Sequence, residues 1–376
     1  MANAQPAGLE GVVAGQSSIS NVYGDEGRLI YWGYDIKDLA QNASFEEVVY
    51  LLWNGSLPNR SQLDELCAEL RENREVPEQL LKYLEGLPHY ASNMTWLRTG
   101  VSALAMYDPD YMDNSPEANR RKAIRLVAQT STLSAAIGRI RAGQEPVKPL
   151  PTGNEAHSFL YMLQDKEPDE TAARAYDVAL VLHADHEFNA STFTARVIVS
   201  TLAGMYAGVT GAIGALSGPL HGGANEQVMK YLTQLFESGD DPAEWVRAQL
   251  AEKKKIPGFG HRVYRTIDPR AEFLREMGRQ MAEKSGKADF FRISETVLET
   301  VKQEKGINAN VDFFSASVFA DLGLPVTLYS PSFACSRMAG WTAHVMEQLA
   351  DNRIIRPRAD YIGPLHQDWV PIEKRG

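Results

Sequence analysis

The chain has 376 residues, of which 44% are hydrophobic and 23% are charged. This composition excludes a disordered chain, and the length is typical of two domains. A formal net charge of -10 argues against a general nucleic-acid-binding protein, which needs a basic face. Cys67 and Cys335 form no CxxC pair, so we expect neither a disulfide framework nor a cysteine-based metal site. Residues 1–10 lack the features of a signal peptide, so we expect a cytoplasmic protein.

Patterns typical of β-strands occur only near the N-terminus. Residues 11–19 and 27–32 alternate in hydrophobicity around a turn at 23–26, which predicts a hairpin. Helical periodicity dominates the remaining chain. Further helices are predicted at residues 45–54, 62–73, 117–142, 171–188, 225–237, 242–253, 270–285 and 289–305. The predicted fold class is therefore all-α, with a minor β element at the N-terminus.

One long segment, residues 197–225, carries no Asp, Glu, Lys or Arg. Its length alone would suit a membrane span, and Gly204 with Gly208 forms a small-xxx-small pair. Gly208, Gly211 and Gly214 instead indicate shorter helices that pack closely. We therefore expect a buried helix hairpin at a subunit contact, and no membrane span.

A polar cluster, His183-Ala184-Asp185-His186-Glu187, follows one predicted helix. Histidines and carboxylates suit a zinc or iron site. The HExxH pattern fails, however, because Ala190 stands where its second histidine belongs. A polar helix end and an anionic-substrate site remain open as alternatives, and the second is favoured.

Two glycine-rich segments each surround a histidine. His221 lies in Pro219-Leu220-His221-Gly222-Gly223, before a predicted helix whose N-terminal amides favour nearby negative charge. His261 follows Pro257-Gly258-Phe259-Gly260 beside a lysine run, in a local basic cluster that suits phosphates and a nucleotide-like cofactor. The alternatives are a structural histidine for the first segment and a solvated charge run for the second.

Asp312 lies between apolar residues, in Asn310-Val311-Asp312-Phe313-Phe314. Burial would raise the pKa of this carboxyl and suit a general base, whereas a helix N-cap is an equally good explanation. Arg337 and Arg356 lie further on, and arginines bind carboxylates through two parallel hydrogen bonds. Each arginine could alternatively form a surface ion pair.

In this order along the chain, these segments resemble the citrate synthase family. The resemblance runs from about residue 11 to residue 363. It is carried by Gly33-Tyr34-Asp35-Ile36, Phe45-Glu46-Glu47, Leu97-Arg98-Thr99, residues 182–187, 218–225 and 257–264, Asp268-Pro269-Arg270, Asn310-Val311-Asp312 and Arg356-Pro357-Arg358.

The resemblance implies three catalytic residues. Asp312 would take a proton from the methyl carbon of acetyl-CoA, and His221 would stabilise the enol or enolate that forms. His261 would donate a proton to the carbonyl oxygen of oxaloacetate during carbon–carbon bond formation. Hydrolysis of citryl-CoA would then release citrate and CoA.

Substrate-binding residues are implied in the same way. Oxaloacetate would be bound by His186, Arg270, Arg337 and Arg356. CoA would be bound by Gly258, Gly260, Arg265 and Asn310.

The family also implies a large helical dimerisation domain, residues 1–217 and 318–376, and a small catalytic domain, residues 218–317. Arg356 would reach the active site of the partner in a homodimer. No permanently bound cofactor or metal is implied, because acetyl-CoA is a co-substrate.

Three alternatives remain. A 2-methylcitrate synthase would use propionyl-CoA, which differs by one methylene in an apolar pocket. A metallohydrolase would use His183, His186 and Glu187. A helical binding protein would hold CoA or a dicarboxylate without turnover.

Overall fold

The computed structural model describes residues 7–9, 11–261, 263–285 and 288–375, so most of residues 1–10 lie outside the description. Its sheet is small and antiparallel, in the order β1 (Ser20–Tyr23), β2 (Arg28–Tyr31) and β3 (Tyr34–Asp35). The hairpin prediction is correct for β2, but the strand expected at residues 11–19 is wrong. That segment is irregular and mostly exposed. It cannot pair with β2, because β1 occupies one edge of that strand and β3 the other.

Helices form most of the described chain, as the predicted fold class requires. Their bounds are α1 (Ile36–Asn42), α2 (Phe45–Asn54), α3 (Arg60–Glu72), α4 (Glu78–Glu85), α5 (Asn93–Leu104), α6 (Pro116–Arg141), α7 (Glu155–Gln164), α8 (Glu170–His183), α9 (Ala190–Val199), α10 (Met205–Leu216), α11 (Ala224–Ser238), α12 (Pro242–Ala251), α13 (Pro269–Ser285), α14 (Ala288–Lys305), α15 (Val311–Asp321) and α16 (Tyr329–Ala350). Short 3-10 helices occur at Ala7–Leu9, Ala105–Tyr107, Val326–Leu328 and Ile372–Lys374.

Local sequence signals set the ends of α2. The Ser44 side chain accepts a hydrogen bond from the Glu47 amide, and the Glu47 carboxylate accepts one from the Ser44 amide. Gly55 ends the helix in the left-handed conformation, with φ 79°. The capping box and the glycine stop therefore confirm the predicted helix.

The helix predicted at residues 171–188 is too long, because α8 ends at His183. Contacts with α16 replace the next helical turn. Arg337 Nε donates to the carbonyl of His183 at 2.7 Å, and the Gly340 amide donates to that of Ala184 at 3.1 Å. A tertiary contact thus ends the helix where periodicity alone would continue it.

The uncharged segment forms the second helix of the α9–α10 hairpin and the turn after it. A Cβ at Gly208 would lie 2.6 Å from a methyl group of Val199, so the glycine permits the close approach of the two helices. None of the described helices is long and apolar enough to cross a membrane.

Helix α16 is the centre of the larger group of helices, and it packs against α2, α6, α8, α9 and α10. Helices α11 to α15 pack largely on one another. They approach the first group where α13 meets α1, where α11 meets α16, and where α13 and α15 meet α8. The segments that carry His186, His221, His261 and Asp312 lie along this junction.

Candidate active site

The glycine-rich loop before His261 is tied to the segment that leads into α15. The Gly260 amide donates to the carbonyl of Asn308 at 3.0 Å, and the Asn310 amide donates to that of Gly258 at 2.9 Å. The Asn310 side chain also donates to the carbonyl of Gly260 at 2.9 Å. The loops bearing His261 and Asp312 are therefore held side by side.

Asp312 lies in the first turn of α15 but does not cap it. The cap is Asn310, whose side-chain oxygen accepts from the Asp312 amide at 3.0 Å. Asp312 Oδ1 is shielded from solvent and has no hydrogen-bond partner among the described residues. Burial raises the pKa of Asp312 to about 7, although Arg270 opposes the rise. This geometry favours a general base over a helix cap.

His261 is held in one tautomer. Its Nδ1 accepts from the backbone amides of Val263, at 3.0 Å, and Tyr264, at 3.1 Å. The proton of the neutral ring must therefore be on Nε2. Burial, assisted by Arg270, lowers the pKa of His261 to about 4, so the neutral ring predominates at neutral pH. A neutral imidazole whose N–H makes no hydrogen bond to the described residues of its loop can act as a proton donor.

His186 lies beside His261, with their ring centroids 5.3 Å apart. Its Nε2 is buried and finds no hydrogen-bond partner among the described residues. Burial and the nearby Arg270 hold the pKa of His186 well below its usual value. Buried polar atoms are usually hydrogen-bonded, so an unpaired one needs an explanation. A hydrogen bond from His186 Nε2 to a bound substrate would supply it.

Two predicted arginines are buried in the same region. Arg270 donates twice to Asp268, from Nε at 3.0 Å and from a terminal nitrogen at 2.8 Å. Arg337 is 1% exposed and lies over the ring of Phe333 at 4.8 Å. Burial lowers the pKa of Arg337 to about 10, which still leaves it charged at neutral pH. Asp268 offsets part of the charge of Arg270, and Arg337 adds a second buried cation near Asp312 and His186, so this region suits an anionic ligand.

His221 lies in the turn between α10 and α11. Its Nε2 is 2.9 Å from Ser191 Oγ, which also accepts from Trp341 Nε1 at 3.1 Å. Burial, with a smaller effect of Arg337, lowers the pKa of His221 to about 4. The ring is therefore neutral, and Ser191 controls which nitrogen carries its proton.

The polar cluster after α8 does not form a metal site in this geometry. His183 Nδ1 pairs with the carbonyl of Ala179 at 2.8 Å, and burial lowers the pKa of His183 to about 3. Within the described ranges, no three His, Cys, Asp or Glu side chains converge to hold a metal ion. The arrangement gives no support to a metallohydrolase.

Some predicted residues lie away from this centre. Arg356 is exposed in the irregular segment after α16. Arg265 is also exposed and forms a 3.5 Å ion pair with Asp25. Gly258, with φ 86°, is buried, and a Cβ there would meet a methyl group of Val228 at 2.7 Å. Packing thus explains Gly258 within the chain, and its CoA contact stays a prediction.

Three residues that orient the site were not predicted from the sequence. Ser191 and Trp341 contact His221, and Asp268 fixes Arg270. Trp341 lies four residues after Arg337 on one helix, so helical spacing could have suggested it. Nothing in the sequence indicates that Ser191 faces a histidine 30 residues away.

Comparison with known proteins gives one result throughout. Residues 8–358 match the family described as "Citrate synthase, C-terminal domain". Citrate synthase 2 of Bacillus subtilis is 50% identical over 98% of both chains, and the citrate synthase of Haloferax volcanii is 46% identical over 98% of both. A 2-methylcitrate synthase of Shewanella oneidensis is 41% identical over 98% of both.

Solved structures show the same similarity. Citrate synthase from Pyrobaculum aerophilum superposes with a TM-score of 0.90 at 38% identity, covering 98% of this chain and 95% of that one. The enzyme from Thermoplasma acidophilum, in a ternary complex with carboxymethyl coenzyme A and oxaloacetate, gives a TM-score of 0.92 at 32% identity, covering 98% of both. The similarity spans the residues that form the site described above, and the chain belongs to the citrate synthase family.

Proposed function

We propose that the chain condenses acetyl-CoA with oxaloacetate and hydrolyses the citryl-CoA formed, releasing citrate and CoA. The observation that carries this proposal is the grouping of Asp312, whose pKa burial raises to about 7, with the neutral His221 and His261 around two buried arginines. Arg270 acts on the pKa of Asp312 and of His261, and Arg337 acts on that of Asp312 and of His221. The methyl group of a thioester is a very weak acid. Its reaction therefore needs a base, a donor to the thioester oxygen and an acid for the attacked carbonyl.

In the first step Asp312 takes a proton from the methyl carbon, and charge develops on the thioester oxygen. His221 can donate to that oxygen through Nδ1 if Nε2 accepts the proton of Ser191. In the structure Ser191 Oγ accepts from Trp341 Nε1 and donates its proton to Asn189 Oδ1 at 2.7 Å, and rotation of the hydroxyl would direct that proton to His221 Nε2 instead. The proposed step requires the second orientation.

In the second step the enol carbon attacks the carbonyl carbon of oxaloacetate. The carbonyl oxygen gains the electron pair and takes the Nε2 proton of His261. Water then attacks the thioester carbon, and CoA leaves as the thiol. After this transfer the His261 ring is an anion, which the two amides that donate to Nδ1 stabilise, and the proton that Asp312 took from the methyl carbon restores Nε2–H.

Oxaloacetate binding is assigned to His186, Arg270, Arg337 and Arg356. Because Arg356 is exposed in its own chain, we propose that it completes the site of a second copy in a homodimer. Co-expression of Arg356→Ala with Asp312→Asn tests this arrangement. If the residue crosses over, each mixed dimer regains one intact site and activity returns. If it acts within its own chain, every site keeps one defect and the mixture stays inactive.

Residues 218–317 are proposed to form a small domain that closes on residues 1–217 and 318–376 after oxaloacetate binds. Gly258, Gly260, Arg265 and Asn310 would contact CoA from the small domain. Closure would exclude water and protect the thioester from early hydrolysis. We further propose a cytoplasmic location.

Propionyl-CoA is the alternative acyl substrate. A 41% identical relative is named 2-methylcitrate synthase, and one methylene changes binding by only about 1–3 kcal/mol. Values of kcat/KM for acetyl-CoA and propionyl-CoA decide between the two, and a preference for propionyl-CoA contradicts our assignment.

The direct test of the activity is release of free CoA from acetyl-CoA that depends on oxaloacetate. Asp312→Asn is the control variant, and it is expected to bind oxaloacetate normally while its condensation rate falls by about a hundredfold or more. Absence of CoA release from the unmodified protein would refute the proposed function. Unchanged condensation in Asp312→Asn would refute only the assigned base.

A further inference from the structure

The N-terminal sheet contacts the segments that carry His186 and His261, although it contains no predicted catalytic or substrate-binding residue. We infer that this sheet is a positioning element that sets the distance between the two histidines, and that Gly24 is its positioning residue for His261. The inference rests on the proposed function, in which both rings contact oxaloacetate.

On one side the sheet binds the residues that flank His186. Ser20 Oγ donates to Asp185 Oδ2 at 2.5 Å and accepts from the Glu187 amide at 2.9 Å. The Tyr31 hydroxyl donates to the carbonyl of Asp185 at 2.9 Å and accepts from its amide at 3.1 Å. The backbone before and after His186 is thus bonded to two paired strands.

These bonds lie in a fully buried environment. Asp185 and Tyr31 are both 0% exposed, and His344 Nε2 lies 3.2 Å from the Asp185 carboxylate. Arg196 can only donate, and its terminal nitrogen is 3.2 Å from His344 Nδ1. His344 therefore donates its Nε2 proton to Asp185. The carboxylate is held from both the sheet and α16, which leaves the position of His186 little freedom.

On the other side the β1–β2 turn contacts the loop after His261. The Arg265 amide donates to the carbonyl of Gly24 at 3.1 Å. A Cβ added at Gly24 would overlap the carbonyl oxygen of Val263, and one at Gly27 would lie 2.6 Å from the carbonyl oxygen of Ile267. Gly24 has no positive φ, so close approach, rather than backbone conformation, requires the missing side chain.

Val263 connects this contact to the chemistry. Its amide is one of the two that hold His261 Nδ1, at 3.0 Å. A displacement of Val263 would weaken this hydrogen bond. The His261 ring would then be held less firmly in the tautomer and the orientation that direct its Nε2 proton at the substrate. The strand between Ser20 and Gly24 is only a few residues long and rises about 3.3 Å per residue, so it is a short, stiff connection. One rigid sheet therefore sets the positions of both histidine rings, whose centroids are 5.3 Å apart.

Gly24→Ala tests the inference, with Gly86→Ala as the matched control. At Gly86, φ is -80° and the new Cβ would make an ordinary 3.6 Å contact with the carbonyl oxygen of Tyr83. Two rates are measured. One is oxaloacetate-dependent CoA release. The other is exchange of the acetyl-CoA methyl protons with deuterated solvent, in the presence of a dicarboxylate that cannot be attacked. Exchange requires Asp312 and His221 but not proton donation by His261.

We expect Gly24→Ala to lower kcat for CoA release by about tenfold or more, because small misplacements of catalytic groups have large effects on rate. Methyl exchange should stay within about twofold of the unmodified protein, and Gly86→Ala should resemble it in both assays. Unchanged kcat and KM in Gly24→Ala would overturn the inference. A parallel loss of both rates would also overturn it, since a purely structural defect lowers both through the folded fraction.

If Gly24→Ala does not fold, Ser20→Ala replaces it at the other end of the sheet. Its expected result is a KM for oxaloacetate raised about tenfold with unchanged methyl exchange, and an unchanged KM overturns the inference. Failure of the proposed function is recognised separately, because the unmodified protein would then show no oxaloacetate-dependent CoA release.

Discussion

Replacement of Asp312 by asparagine should stabilise the protein at neutral and alkaline pH while it abolishes condensation. Burial raises the pKa of this carboxyl from 3.8 to about 7. The folded chain therefore binds the proton more tightly than the unfolded chain does. Between these two pKa values the folded state holds more protons, so the carboxyl lowers stability progressively as the pH rises from about 4 to about 7.

The size of this effect follows from the two pKa values. At pH 8 the full difference corresponds to at most about 4 kcal/mol, since each pH unit is worth about 1.4 kcal/mol. At pH 5 only about 1.6 kcal/mol applies, because the folded carboxyl is then protonated. Asparagine cannot ionise, so the advantage of Asp312→Asn over the unmodified protein should grow by about 2–3 kcal/mol between pH 5 and pH 8.

Urea unfolding of both proteins at a series of pH values, at one fixed protein concentration, measures this growth. Asp360→Asn is the control, because Asp360 is exposed and loses little hydration on folding. The stability difference for Asp360→Asn should be flat across the pH range. A flat difference for Asp312→Asn as well would show that the carboxyl is not strained by burial, and the argument for a tuned base would fail.

Three further results are expected. The kcat/KM for oxaloacetate, measured by CoA release from pH 5 to pH 9, should rise with pH through about 7 as Asp312 of the free protein ionises. Ser191→Ala should lower kcat about tenfold with little change in the KM for oxaloacetate, because His221 loses its Nε2 partner. Arg74→Met should lower the free energy of unfolding by about 3–5 kcal/mol without changing kcat, because it leaves the buried Glu155 carboxylate without its 2.7 Å ion pair.

The fold was predictable wherever a local signal decided the structure. The capping box at Ser44 and the left-handed Gly55 are local, and both ends of α2 were predicted within a residue. The strand expected at residues 11–19 failed because strand pairing depends on a partner elsewhere in the chain. The predicted end of α8 was wrong for a similar reason, because the carbonyl of His183 accepts a hydrogen bond from Arg337, 154 residues away.

The candidate site divides in the same way. His261 stood out among glycines, Asp312 among apolar residues, and His186 in a cluster of histidines and carboxylates. The structure brings the two histidines together. The roles of Ser191 and Gly24 could not be anticipated, because each depends on a contact between distant segments. Gly24 looks like an ordinary turn residue in the sequence, and only the carbonyl of Val263 beside it shows why a side chain is excluded.

The charges of the site explain how its groups reach different protonation states in one small space. Arg270 lowers the pKa of His186 and of His261, and it also opposes the rise in the pKa of Asp312. Arg337 acts on His221 in the same direction. In the proposed reaction, oxaloacetate brings two negative charges to these arginines and offsets their effect. The pKa of Asp312 should then rise further, so its ionised form becomes a stronger base for a very weak carbon acid, and kcat should reach half its maximum at a higher pH than kcat/KM for oxaloacetate does. The pKa values of the histidines start well below the usual value, so they can rise while the rings stay neutral. Binding of the first substrate would thus prepare the base for the second without charging the acids.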